Sequence, residues 1–237
     1  MSESKVAIVT GGSRGIGRGV VEALLDAGWR VHLCSRGQAS AGQAQTELAA
    51  RFGGAVHAAA VDVRDELQVR AFVERVTEQE GRIDLLVNNA GLGHFRPVDE
   101  LTGEAWREVI ETNLSGCFYF LHAVAPVMKR QGEGWIVNVA SLAGKNPFAG
   151  GAAYNASKFG LIGLSEAAML DLRRYGVRVA ALLPGSVDTG FAHRGSPEDR
   201  GWMLTPADVA AMVLHLLTYP PNALPSLIEM RPTRPPK

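Results

Sequence analysis

The sequence predicts an α/β fold: one domain, residues 1–237, built on a doubly wound parallel sheet of about seven strands with helices on both faces. Three observations predict it. Short β-branched runs alternate with longer segments of helical spacing, the signature of βαβ units. The runs are almost continuously apolar, as strands covered on both sides must be. A glycine-rich turn separates the first run from the first helical segment, where such sheets bind ligands beyond their strands' carboxyl ends.

The strands are expected at 5–10, 30–34, 55–61, 83–88, 135–140 and 177–183, with a weaker one at 226–230. Helical spacing covers roughly 15–27, 38–52, 65–80, 101–131, 152–175 and 206–218. No linker and no internal repeat interrupts the pattern. The Pro-rich end RPTRPPK reads as a tail.

Composition excludes several classes. Twenty-four basic residues balance 24 acidic ones, so the chain resembles neither a nucleic-acid binder nor an anionic-membrane binder. Cys34 and Cys117 lie in apolar runs without a CxxC spacing and read as small buried hydrophobes in a reducing compartment. No signal peptide and no apolar stretch of membrane-spanning length is present, so a cytoplasmic protein is expected.

The turn TGGSRGIG, residues 10–17, has the spacing GxxxGxG. It is neither GxGxxG nor a P-loop, since no Lys-Ser/Thr follows its last glycine. Its glycines allow a tight turn and close approach of a phosphate to backbone N–H groups at a helix N-terminus. The second strand ends LCSRG, with no acid to hold a ribose 2′-hydroxyl. Arg36, with Arg14 nearby in the turn, suits a 2′-phosphate instead. One charge-assisted hydrogen bond then favours NADP over NAD by roughly 10- to 100-fold.

Further polar groups fall at strand ends or helix starts: NNAG (88–91), Asn113, Ser141, Tyr154 and Lys158 in YNASK, and PGSVDT (184–189). Tyr154 and Lys158 are one helical turn apart and share a face. A free phenol titrates near 10, and an adjacent cation stabilises its ionised form. The pair thus forms a candidate proton donor and acceptor near neutral pH.

TGGSRGIG, NNAG, Asn113, Ser141, YNASK and PGSVDT, in this order and with Ser141 thirteen residues before Tyr154, resemble the short-chain dehydrogenase/reductase superfamily from about residue 5 to 190. The resemblance implies a Rossmann-like fold and NADP(H)-dependent interconversion of a carbonyl and a secondary alcohol. It makes Tyr154 the general acid/base and Lys158 the residue that binds the nicotinamide ribose and favours the ionised tyrosine. Ser141 would orient the substrate oxygen, with Tyr154 its second contact. Asn113 would hold a water in a proton relay. Gly11, Ser13, Arg14, Gly15, Ile16 and Gly17 would cradle the pyrophosphate. Asp62 and Val63 would flank adenine, Asn89 would contact the cofactor from the NAG turn, and Val187 and Thr189 would meet the nicotinamide carboxamide. The resemblance also implies a homodimer or homotetramer packed through helices 101–131 and 152–175.

Two nearby segments carry further expectations. Residues 189–205 read as a short substrate lid, with Trp202 and Met203 as anchors or pocket lining. The last strand lacks the glycine-rich ending of the acyl-carrier reductase branch and resembles members acting on 3-oxo/3-hydroxy acids or other small ketones. His94 and Phe95 sit where substrate or a second subunit could touch. The remaining histidines show no metal-ligand spacing, so no metal is expected. A catalytically silent nucleotide sensor and an epimerase or dehydratase are the alternatives. The first calls for a broken Asn-Ser-Tyr-Lys set and the second for a larger C-terminal domain.

Overall fold

The computed structural model describes residues 4–191 and 200–234. Seven strands form one parallel sheet in the order β3-β2-β1-β4-β5-β6-β7. They are β1 Val6–Thr10, β2 Arg30–Ser35, β3 Val56–Ala60, β4 Leu85–Asn88, β5 Gly134–Val139, β6 Val177–Pro184 and β7 Leu227–Met230. The central strands β1, β4 and β5 are buried at every position, which explains their unbroken apolar runs. Edge strands β3 and β7 alternate between covered and exposed positions, which explains why β7 is the weaker run.

Side chains alternate across the sheet and feed two cores. Ala7, Val9, Val31 and Leu33 pack beneath α1 (Gly15–Asp26), α2 (Gln38–Phe52) and α7 (Pro206–Leu216). Val6, Ile8, Leu86 and Ile136 pack on the opposite face beneath α3 (Glu66–Glu80), α5 (Gly116–Gln131) and α6 (Ala152–Leu172). A smaller cluster of Cys117, Ala140, Leu161, Ala181 and Leu183 supports the carboxyl ends of β5 and β6. Both cysteines are free and fully buried, and burial pushes their thiols up to about 12 for Cys34 and about 11 for Cys117.

The expected helix over 101–131 is two helices. α4 spans Gly103–Ile110, and a π-helical turn at Glu111–Ser115 separates it from α5. The turn is held by Asn113, whose side chain bonds the backbone of Leu92 in a neighbouring loop. Just after it, Gly116 packs so close to Val63 that a Cβ would come within 2.9 Å of it. The extra residue in the turn leaves the apolar spacing on both sides intact, so periodicity alone reads straight through it. The helix expected over 152–175 tightens into a 3₁₀ turn at Arg173–Tyr175 and stops at Gly176, whose φ is +75°. α7 starts at a capping box in which Thr205 and Asp208 satisfy each other's backbone, with Pro206 in the first turn. Among the described residues no helix is long and apolar enough to cross a membrane.

Candidate active site

β1 leads to β2 on one side of the sheet, while β4 lies on the other, so the strand order reverses between β1 and β4. A crevice of about 710 Å³ opens at the carboxyl ends of the strands there. Its floor is the glycine turn. Gly11 and Gly15 have φ of +65° and +57°, a conformation that side chains strain to adopt. Ser13, Arg14 and Ile16 line the same wall.

Gly17 does not line the crevice. It lies under the turn, where a Cβ would meet the Gly11 carbonyl oxygen at 2.3 Å and the Asn89 amide at 2.4 Å. Its contribution is to let α1 start directly against the loop. Asn89 then ties the two motifs together. Its Nδ2 donates to the carbonyls of Thr10 and Gly11 at 2.9 and 3.3 Å. The Thr10 hydroxyl accepts from the backbone N–H groups of Asn89 and Ala90, both at 2.9 Å. Sequence reasoning assigns Thr10 no role of its own, although its place at the end of β1 is the available signal.

At the far end, Arg36 projects from the end of β2, 61% exposed, and pairs with Glu108 at 3.1 Å. Ser35, Gly37 and Ser40 line the crevice beside it, and the Ser35 and Ser40 hydroxyls are 3.0 Å apart. Gly37 and Ser40 escape a sequence reading that stops at the arginine. Asp62 and Val63 line the adjoining wall. Arg64 grips the Asp62 carboxylate through two nitrogens and holds it below its ordinary value. Glu108 is likewise held down, first by the hydrogen bond from His94 at 2.8 Å and then by Arg36. His94 is thus a surface hydrogen-bond partner of Glu108, outside the crevice lining.

The chemical end is built from β5, α6 and the segment after β6. Ser141 follows β5 and caps a 3₁₀ turn at Leu142–Gly144, its Oγ accepting from the Ala143 N–H at 3.1 Å. That bond uses a lone pair and leaves the hydroxyl proton available. Tyr154 and Lys158 lie in the first turns of α6, and both line the crevice with Ser141. Lys158 is 4% exposed, and its Nζ donates to the Val139 carbonyl at 2.9 Å while standing 5.7 Å from the Tyr154 ring centroid. Val187 and Thr189 form the opposite wall, with Thr189 packed within 3.2 Å of the position a Gly15 Cβ would take.

Asn113 lies behind this wall, fully buried. Its Oδ1 accepts from the Leu92 N–H, and its Nδ2 donates to the Leu92 carbonyl and the Ser157 hydroxyl, at 2.8, 2.8 and 3.0 Å. The side chain is therefore a bolt between the π turn, the loop after β4 and α6. Asn88 and Asn138, paired in register on β4 and β5, form another buried polar link, which continues through Ser165.

Residues 192–199, the centre of the expected lid at 189–205, lie outside the described residues. Of its ends, Phe191 lines the crevice, and Leu204 bridges to Val187. Trp202 and Met203 are partly buried and do not line the crevice. The histidine pattern also differs from expectation. Pairing of β2 with β3 sets His32 opposite His57, and with Glu80 their ligand atoms lie within 4.8 Å of one another. Glu80 there already holds Arg30 as an ion pair at 2.7 Å and accepts a hydrogen bond from His32 at 2.8 Å, and these contacts pin α3 to β2.

A glycine cradle at the switch point of a parallel sheet, with Ser141, Tyr154 and Lys158 at the other end of the same crevice, defines a dinucleotide-binding α/β protein. The sequence matches the short chain dehydrogenase family over residues 5–200, and the chain belongs to that family. It is 40% identical over 192 residues to a putative ketoacyl reductase of Streptomyces coelicolor, covering 80% of this chain and 73% of that one. The solved alcohol dehydrogenase of Thermococcus sibiricus, complexed with 5-hydroxy-NADP, superposes with a TM-score of 0.89 at 32% identity, covering 99% of this chain and 100% of that chain. A single-substitution variant of actinorhodin polyketide ketoreductase, solved with NADPH, gives 0.90 at 33% identity, covering 98% of this chain and 97% of that chain.

Proposed function

We propose that this protein is an NADP(H)-dependent oxidoreductase that interconverts a carbonyl and a secondary alcohol. The observation that carries the reading is the single crevice shared by the glycine turn, Arg36, Ser141, Tyr154 and Lys158. The crevice suits a dinucleotide: the cradle at Gly11 and Gly15 has no Cβ to obstruct a pyrophosphate, and the far end offers two guanidinium groups and two hydroxyls.

In this reading Gly11, Ser13, Arg14, Gly15 and Ile16 hold the pyrophosphate, with Gly17 shaping the turn from beneath. Arg36 and Arg14, helped by Ser35 and Ser40, take the 2′-phosphate. Asp62 and Val63 flank the adenine. Asn89 contacts the cofactor from the NAG turn, Val187 and Thr189 meet the nicotinamide carboxamide, and Lys158 and Tyr154 meet the nicotinamide ribose. When bound, the reduced dinucleotide supplies a hydride for the carbonyl carbon. Tyr154 donates its phenolic proton to the carbonyl oxygen, so one hydride and one proton are added per carbonyl. In oxidation Tyr154 removes the alcohol proton. Ser141 orients the substrate oxygen through its hydroxyl. The buried ammonium of Lys158 stabilises the negative charge that develops on Tyr154. Asn113 acts from behind, fixing the Leu92 loop against α6 and supporting a water relay to Lys158.

The seven-stranded sheet supports a single nucleotide-binding domain. Phe118 on α5 and Phe159 and Leu170 on α6 are exposed, which supports a homodimer or homotetramer formed through these helices. The buried, reduced cysteines suit the cytoplasm. Titration with NADPH and NADH, followed by a ketone panel read by the loss of NADPH absorbance, tests the reading. Tighter binding of NADPH, with its oxidation by at least one ketone, is expected. Binding of neither cofactor would overturn it.

A further inference from the structure

Three phenylalanines from three separate segments converge on the Tyr154 ring. Phe95, in the loop after β4, meets it edge-on with centroids 5.7 Å apart and planes at 68°. Phe148, between the Ser141 turn and α6, lies 6.4 Å away, and Phe191, beyond β6, lies 5.9 Å away, both tilted by 47°. Phe95 and Phe148 also touch each other at 5.8 Å. Phe191 lines the crevice, and the other two stand just beyond its lining, past Tyr154.

Two of these rings, Phe95 and Phe148, are held in place, and all three are partly exposed. Phe95 is 38% exposed, Phe148 46% and Phe191 45%. The Phe95 ring lies on Gly93, where a Cβ would sit 2.6 Å from it, and Phe148 lies on Gly151 at the same distance. The two loops are laced together by the Arg96 N–H donating to the Gly150 carbonyl at 2.9 Å, and Asn155 anchors the Phe148 carbonyl at 3.0 Å. Apolar rings gathered beside a reacting hydroxyl and left facing solvent form a surface that a ligand can cover.

Charge is distributed unevenly along the crevice. Among its described lining residues the ionised side chains are Arg14, Arg36 and Asp62 at the far end and Lys158 at this one. Lys158 is turned to the Val139 carbonyl. Nearby, Lys145 pairs with Glu229 and His94 hydrogen-bonds Glu108. Among the described lining residues, Lys158 is thus the one cation at the tyrosine end, while Arg96 stands next to Phe95 outside the lining.

We propose, resting on the reductase reading above, that the substrate is a ketone whose carbonyl is attached to or part of a flat aromatic ring system, held by Phe95, Phe148 and Phe191 beside Tyr154. Tilted ring pairs favour a flat aromatic partner over a saturated ring of equal size.

The experiment compares kcat/KM, with saturating NADPH, for acetophenone, its saturated analogue cyclohexyl methyl ketone, 2-tetralone and acetoacetate. The aryl ketones are expected to exceed the saturated ketone by about 10-fold, from the extra ring–ring contacts. They should also exceed acetoacetate by about 10-fold or more, since it has no ring to lay on the phenylalanines. In F148L and F95L, made separately so that one misfolded variant does not decide the result, the aryl-to-saturated ratio should fall about 5-fold, mainly through KM. Turnover that favours acetoacetate, or an aryl-to-saturated ratio unchanged in both folded variants, would overturn this inference and leave the reductase reading standing. NADPH binding without oxidation by any of the four would remove both.

Discussion

The two ends of the crevice are built differently. The glycine end is built on positive-φ glycines tied to strand ends by two side chains, the Thr10 hydroxyl and the Asn89 amide, at positions the sheet dictates. The substrate end is made of exposed rings on loops, placed by two glycines and one backbone bridge. The first end tolerates little change because each atom there meets another backbone atom. The second can exchange one ring for another side chain at modest cost to the fold, and so sets which ketone is taken.

The largest effect expected from this contrast is at Gly17. Adding one methyl in G17A places a carbon 2.3 Å from the Gly11 carbonyl and should weaken NADPH binding by ~100-fold or more, measured by fluorescence titration. F148L, which removes a whole ring at the other end, should bind NADPH as the parent does. Comparable losses in both variants would erase the distinction. A smaller change is expected at the phosphate end. R36D should lower the NADP-to-NAD preference by roughly 10- to 100-fold, and an unchanged ratio would remove Arg36 from that site. Glu108 competes with a bound phosphate for Arg36, so E108Q should tighten NADPH by only about 2- to 5-fold, the yield of an exposed pair.

The smallest expected effect concerns pH, away from the crevice. Burial holds His32 below its ordinary 6.5, against the pull of Glu80. The unfolded chain therefore takes up the proton first, and the stability from neutral His32 is complete above 6.5 and lost as pH falls through the window below it. Burial alone would raise Glu80, but hydrogen bonds from Arg30 and His32 outweigh it and hold the carboxyl below 4.5. That contribution is present above 4.5 and lost as pH falls through the folded value. Tm should therefore drop by ~2–4 °C between about pH 7 and 5, and H32Q should flatten that drop. A Tm independent of pH in the parent would contradict the assignment.

The sheet is legible in the sequence because each buried strand writes an apolar run, and the glycine turn because its spacing meets a mechanical need. The break at Glu111–Ser115 is not legible, since a π turn inserts a residue without disturbing the apolar spacing on either side. The meeting of His32 with His57 is hidden because strand register, not sequence distance, sets it. Of the three rings, only Phe95 stands out in the sequence. Phe148 and Phe191 sit in loops with no periodicity to show where they point. Asn113 reads as a site residue, yet its side chain is spent on Leu92 and Ser157, so its support of the chemistry is positional.

The central claim is that Tyr154 moves the proton. It is tested most directly by Y154F, which keeps the ring and its contacts with the three phenylalanines but removes the hydroxyl. Loss of a positioned acid predicts a fall in kcat of about 10²- to 10⁴-fold, with NADPH affinity within about 2-fold of the parent. Activity close to the parent's in this variant would contradict the account.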